Sequence, residues 1–229
     1  MLQLFFVEDI DNPELVAENA HHAERVLRMK VGEQLLVSNG QGSWARAEIT
    51  SISKRSTQLK VIEQGFEAPE PIEISVLQAL PKNDRARETV ELLTAAGVSN
   101  IYPWQAARSI GKESEKWAIT AIEASKQSRR FTIPKVTEKL DTQKAVELIK
   151  DFDQVLVCHE AAQTKISDVI KVVPRTLIII GPEGGITDEE LDLFKASGGE
   201  LIRLGRPVLR SAHAGIAAIS AVSALKKVW

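Results

Sequence analysis

From Ile72 onward, short apolar runs alternate with helical segments, and no other feature of the chain restricts its fold as tightly. IEISVLQAL (72–80), VSNIYPW (98–104), QVLVCHE (154–160), TLIII (176–180) and ELIRL (200–204) have strand length. ARETVELLTAAG (86–97), EKWAITAIEASKQSRR (115–130), TQKAVELIKDF (142–152), TDEELDLFKASG (187–198) and AGIAAISAVSALKKV (214–228) read as helices, the first ending at Gly97. Strands that are apolar throughout, rather than alternating, are buried on both faces. The pattern therefore predicts an α/β domain over 72–229, with a mainly parallel sheet covered by helices on both sides.

The first part of the chain has a different period. LQLFFV (2–7), EQLLVSNGQGSWARAEIT (33–50) and TQLKVIEQ (57–64) are strand-like, and Asn39-Gly40 with Gly42 marks a hairpin turn. A small β-barrel over 1–68 is expected, followed by the proline-bearing linker FEAPEP (66–71). HHAERVLRMKVG (21–32) interrupts these strands with a helical or looped stretch carrying Arg25, Arg28 and Lys30.

Charge separates the regions further. The net charge over 229 residues is −2, yet residues 20–60 hold seven Lys or Arg against three acids, and 131–201 hold eight against thirteen. The basic character lies in the first half. Cys158 is the single cysteine, which excludes an internal disulfide, and its apolar run reads as the setting of a buried structural thiol. Together with four histidines it gives no metal-ligand spacing, so no metal is expected. The start MLQLFFVEDIDNPE turns acidic without a basic leader, and AGIAAISAVSAL is too short for a bilayer span, so a cytoplasmic protein without a membrane segment is expected.

The sharpest local signal is TLIIIGPEGGITDEE (176–190). A glycine turn between strand and helix usually cradles phosphate. Here Glu183, Asp188, Glu189 and Glu190 surround the turn, no lysine follows the glycines, and no G-x-G-x-x-G occurs in the chain. A neutral or cationic ligand is expected instead. Thr187 and Glu190 have capping-box spacing, and Ile186 and Leu191 stand where a hydrophobic staple would sit. Gly181, Gly184 and Gly185 allow positive φ and close backbone approach, and Pro182 stiffens the turn. Sites in open parallel sheets form beyond the carboxyl ends of strands. Three loops meet that condition: His159-Glu160, Gly181 to Gly185, and Gly205 to His213.

LPKNDR (80–85), VELLTAAGVSNIYPWQAARS (90–109), EASKQSRR (123–130), IIGPEGGITDEEL (179–191) and RLGRPVLR (203–210) together resemble the RsmE-type ribosomal RNA methyltransferases, and HAERVLRMKVGEQLLVSNGQG (22–42) resembles that family's N-terminal domain. The resemblance implies S-adenosylmethionine-dependent methylation of N3 of one uridine in small-subunit (16S) ribosomal RNA, within an assembled or assembling subunit. It also implies a PUA-like RNA-binding barrel, a SPOUT-type catalytic domain with a C-terminal trefoil knot, and a homodimer. Carried over by position, the cofactor would be held by His159 and Glu160, by Gly181, Pro182, Glu183, Gly184 and Gly185, and by Leu204, Gly205, Val208 and Leu209. The chain departs from the family at RSAHAG (210–215), where a Thr-rich segment is usual, and at Ala95, where many members carry Glu.

Uridine N3 must lose its proton as it attacks the methyl group, and negative charge then spreads over the ring carbonyls. Arg210, next to the expected cofactor loop, is the candidate to stabilise that charge. Lys82, Arg85, Arg108, Arg129 and Arg130 join Arg25 and Arg28 as candidates for contacts with RNA. Two rival classes are a non-catalytic RNA-binding or ribosome-assembly protein and an α/β enzyme acting on a phosphorylated small molecule. The acidic loop disfavours the second.

Overall fold

The computed structural model describes residues 2–53 and 55–229, which divide into two compact units. The first comprises Met1–Pro69 together with Ser125–Ile133, and the second comprises Glu70–Ala124 and Pro134–Trp229. Assignment of 125–133 to the first unit is a departure from a single boundary near residue 68.

The first unit is built on five strands, β1 (Leu4–Phe6), β2 (Glu14–Val16), β3 (Gln34–Ser38), β4 (Ser43–Ile52) and β5 (Ser56–Phe66). Their spatial order is β1-β3-β4-β5-β2, with β1 parallel to β3 and the other pairs antiparallel. The mixed sheet curls into a PUA-like half-barrel rather than closing. The β3–β4 hairpin turns at Asn39 to Gly42, where Gly40 (φ 74°) and Gly42 (φ 102°) take the left-handed conformation that the Asn-Gly signal calls for. Phe5, Leu15, Leu35, Val37 and Ile49 form its buried core. Residues 125–133 complete the unit: the Phe131 ring stacks on Trp44 at 5.3 Å, and Ser38 Oγ donates to the Phe131 carbonyl at 2.8 Å. The basic stretch is helical only at its start, α1 (Ala17–His21) running on as a π-helical turn over His22–Val26 that carries Arg25, while Arg28 and Lys30 follow outside the helix.

The second unit has six strands, β6 (Glu73–Ala79), β7 (Asn100–Trp104), β8 (Lys135–Val136), β9 (Gln154–Cys158), β10 (Arg175–Ile180) and β11 (Gly199–Ile202). All neighbours are parallel, in the order β11-β9-β10-β6-β7-β8. Successive residues face opposite sides, which explains the unbroken apolar runs. Ile178 and Ile180 of β10 join one core with Val76 and Leu156, while Leu177 and Ile179 join another with Leu77 and Val157. The first core is covered by α2 (Asn83–Ala95), by the start of α3 (Trp117–Ser128) and by α7 (Ser211–Leu225). The second is covered by α4 (Thr142–Ile149) and α6 (Asp188–Ala196), and the short α5 (Ile166–Val169) precedes β10. Past the end of α2, Gly97 has φ 89°, the left-handed stop that its position in the sequence predicts. Among the described residues no helix is long and apolar enough to cross a membrane.

Candidate active site

The three strand-end loops of β9, β10 and β11 converge. A cavity of about 300 Å³ is walled by His159 and Glu160, by Gly181, Pro182, Glu183 and Gly185, and by Val208, Leu209, Arg210 and Ser211. A smaller one of about 80 Å³ adjoins it, sharing His159, Glu160, Val208 and Leu209 and adding Leu204 and Gly205. Of the residues singled out for a cofactor, Gly184 alone is on neither wall.

The glycines serve separate purposes. Gly185 is the only one of the three with positive φ, 76°. At Gly181 a Cβ would meet Ile186 Cγ1 at 2.6 Å, so the strand end packs directly on the residue preceding the helix cap. At Gly184 a Cβ would lie 3.1 Å from Arg108 Cβ, which places it against the loop after β7. The helix start is as the sequence predicts: Thr187 Oγ1 accepts from Glu190 N at 3.2 Å and Glu190 Oε2 accepts from Thr187 N at 3.1 Å. Glu190 does more than close the box. Its Oε1 accepts from Ala107 N at 2.8 Å and from the Thr142 hydroxyl at 3.0 Å, and that hydroxyl accepts in turn from Trp104 Nε1 at 3.2 Å. The carboxylate is buried and turned into the protein, so it is not among the charges a ligand would meet. Glu183 is held as well, accepting from Lys82 N at 3.2 Å.

Ser211 ties the glycine loop to α7. Its hydroxyl donates to the Gly181 carbonyl at 2.7 Å and accepts from Gln78 Nε2 at 3.0 Å, so its proton is committed to the loop. Gln78 is fully buried and was not singled out from the sequence, where a lone polar residue in a strand gives no signal. Arg210 is the N-cap residue of α7, but its side chain makes no capping bond; its carbonyl accepts from His213 N and Ala214 N. The exposed Arg210 side chain has no carboxylate partner among the described residues. Ala212 is buried, whereas His213 Nε2 lies 3.2 Å from Glu88 Oε1, linking α7 to α2.

Cys158 ends β9 at the cavity wall, partly open to it rather than fully enclosed. Burial still pushes its thiol up to about 12, which leaves it neutral and unreactive near pH 7.

The cationic candidates are not one cluster. Lys82 stands before α2, and Arg85 pairs with Glu88 at 3.5 Å. Arg108 donates from Nη1 to the Gly184 carbonyl at 3.1 Å. Arg129 (φ 55°), Arg130, Arg25 and Arg28 (φ 55°) belong to the first unit, Arg25 beside Glu24 at 3.7 Å. Burial lowers the Arg130 guanidinium below the ordinary arginine value, with Glu67 acting in the opposite direction.

The glycine loop and the loop before α7 thus wall a cavity beyond the carboxyl ends of β9, β10 and β11, where open parallel sheets hold their ligands. Residues 68–223 match the RNA methyltransferase domain family, and residues 17–62 match the RNA methyltransferase PUA domain. The ribosomal RNA small subunit methyltransferase E of Mycobacterium tuberculosis is 32% identical over 99% of this chain and 93% of its own. That of Bacillus subtilis is 31% identical over 95% and 91%. A Legionella pneumophila methyltransferase, solved with bound S-adenosylmethionine, superposes with a TM-score of 0.89 at 28% identity over 98% of both chains. The chain belongs to the ribosomal RNA small subunit methyltransferase E family.

Proposed function

We propose that this protein methylates N3 of one uridine in small-subunit (16S) ribosomal RNA, using S-adenosylmethionine. The observation that carries the reading is the cavity at the carboxyl ends of β9, β10 and β11, in a chain of this family. Its wall suits the cofactor. Loop backbone and the side chains of Val208, Leu209 and Leu204 offer a flat apolar surface, and Glu160 and Glu183 suit a cation where they would repel a polyphosphate. His159, Glu160, Gly181, Pro182, Glu183, Gly185, Leu204, Gly205, Val208 and Leu209 would hold it. The bound cofactor supplies an electrophilic methyl group.

The chain's own contribution is to orient and to stabilise charge. Arg210 borders the cavity with a guanidinium that has no carboxylate partner among the described residues, suited to the oxygens of a uridine becoming anionic. The Ser211 hydroxyl keeps the glycine loop and the first turn of α7 in register, because its hydrogen bonds run from Gln78 to Gly181. Arg25, Arg28, Lys82, Arg85, Arg129 and Arg130 are the RNA contacts in this reading. Neutralising Arg25 and Arg28 together is expected to weaken binding to every RNA sequence and to shallow its salt dependence by up to about two phosphate contacts, measured by titration at several salt concentrations.

The same reading makes the protein a cytoplasmic homodimer joined through its second unit. The half-buried face of α7, with Ala217, Ser220 and Ala221 beside Ile216, supports close backbone packing against a second copy. Light scattering is expected to give about twice 25.2 kDa. A trefoil knot at the C-terminus belongs to the proposal too. Its support is the route from β11 at the sheet edge back to α7, which packs on β6 and β10. The deciding experiment incubates small subunits, free ribosomal RNA and transfer RNA with labelled cofactor and analyses the nucleosides. N3-methyluridine confined to small-subunit RNA is expected; label in another nucleoside, or none, refutes the assignment.

A further inference from the structure

We propose that Arg108 is a positioning residue that couples docking of an RNA phosphate to the shape of the glycine loop, an inference that rests on the methyltransferase reading above. Arg108 Nη1 donates to the Gly184 carbonyl at 3.1 Å, and a Cβ on Gly184 would come within 3.1 Å of Arg108 Cβ and 3.5 Å of its carbonyl oxygen. Only a glycine leaves this contact uncrowded. The neighbouring peptide is fixed as well, since Ala107 N donates at 2.8 Å to the Glu190 carboxylate that caps α6. Behind it the turn is closed by Ser109 N to Ala106 O at 3.0 Å and Ala106 N to Ser109 Oγ at 3.2 Å. Residues 107 and 108 thus grip the loop at Gly184 and again at the helix it feeds.

The rest of the guanidinium is uncommitted. Arginine carries five N–H donors in a rigid plane, and Arg108 is exposed without a carboxylate partner among the described residues. Gly185, the positive-φ residue on the cavity wall, would carry a Cβ 3.8 Å from the same Nη1. An anion on the free donors therefore acts on the planar group that already orients the peptide between Gly184 and Gly185. It polarises the bond to Gly184 and removes the freedom of the plane to turn away. The anion available to an enzyme of this class is a phosphodiester of its RNA substrate. RNA docking and cofactor binding should then favour one another, each raising the other's affinity by the same factor.

The test is the equilibrium affinity of S-adenosylhomocysteine, which has no methyl to transfer, with and without small ribosomal subunits. In the wild type, saturating subunits are expected to tighten its binding at least about fivefold, and inorganic phosphate at equal ionic strength to leave it unchanged. Arg108→Ala should abolish that rise while lowering the affinity of the free protein by no more than about threefold. Arg108→Lys should keep subunit affinity within about twofold yet also lose the rise, because a compact ammonium cannot hold carbonyl and phosphate in one plane. Gly184→Ala, which presses on the contact from the other side, should diminish the rise with Arg108 intact. The proposal is overturned if the wild type shows no rise, if inorganic phosphate reproduces it, or if folded Arg108→Ala or Arg108→Lys keeps it in full. A wild type that methylates subunits normally but shows no rise overturns this inference alone, whereas absence of methylation overturns the methyltransferase reading.

Discussion

Arg210→Ala is expected to slow single-turnover methylation by about a hundredfold or more, about 2.7 kcal/mol, while cofactor affinity stays nearly intact. The expectation follows from what the side chain does not do. It caps no helix N–H and pairs with no carboxylate among the described residues; the contacts that brace its loop are made by its backbone carbonyl and by Ser211. A group free of structural duties on a cavity wall is available for charge that develops only during reaction. If Arg210 instead braced the loop, rate and cofactor affinity would fall together. Single-turnover rates at saturating cofactor, measured beside cofactor titrations, separate these outcomes, and a normal saturated rate would end the catalytic assignment.

Glu190→Ala is expected to destabilise the fold by about 3 kcal/mol, lowering Tm by roughly 6–12 °C. One buried carboxylate closes the capping box, holds Ala107 N and accepts from the Thr142 hydroxyl, so its removal strands donors on three separate segments. Loss of an N-terminal cap alone costs about 0.5–2 kcal/mol, and the remainder comes from donors left without partners. Glu190→Gln keeps the volume and an acceptor oxygen and should cost roughly half as much. Thermal melts of the three proteins decide this: a loss under about 1 kcal/mol for the alanine variant would mean that water replaces the carboxylate freely.

These two residues also mark how far the sequence could be read. The cap at Thr187 and Glu190, the stop at Gly97, the hairpin at Asn39-Gly40 and the doubly covered sheet were all legible, because each rests on residues close together in the chain or on a repeated period. The reach of Glu190 to Ala107 and Thr142 was not, since those partners are 83 and 48 residues away and nothing in local pattern encodes them. Arg108 read only as a candidate RNA contact, and its hold on the glycine loop was hidden for the same reason: its carbonyl partner is 76 residues distant. Where side chains face backbone from another loop, composition and periodicity are silent.

The return of residues 125–133 to the first unit sets an order of events during synthesis. When Pro69 has left the ribosome, all five strands of the half-barrel exist, but the ring for Trp44 and the acceptor for the Ser38 hydroxyl do not. At about 5–20 residues per second, Ile133 follows roughly 3–13 s later. During that interval the nascent module carries an uncovered tryptophan and an unfinished edge, and it can reach its final packing only after part of the next domain has been translated. A fragment ending at residue 69 would freeze the module in that incomplete state.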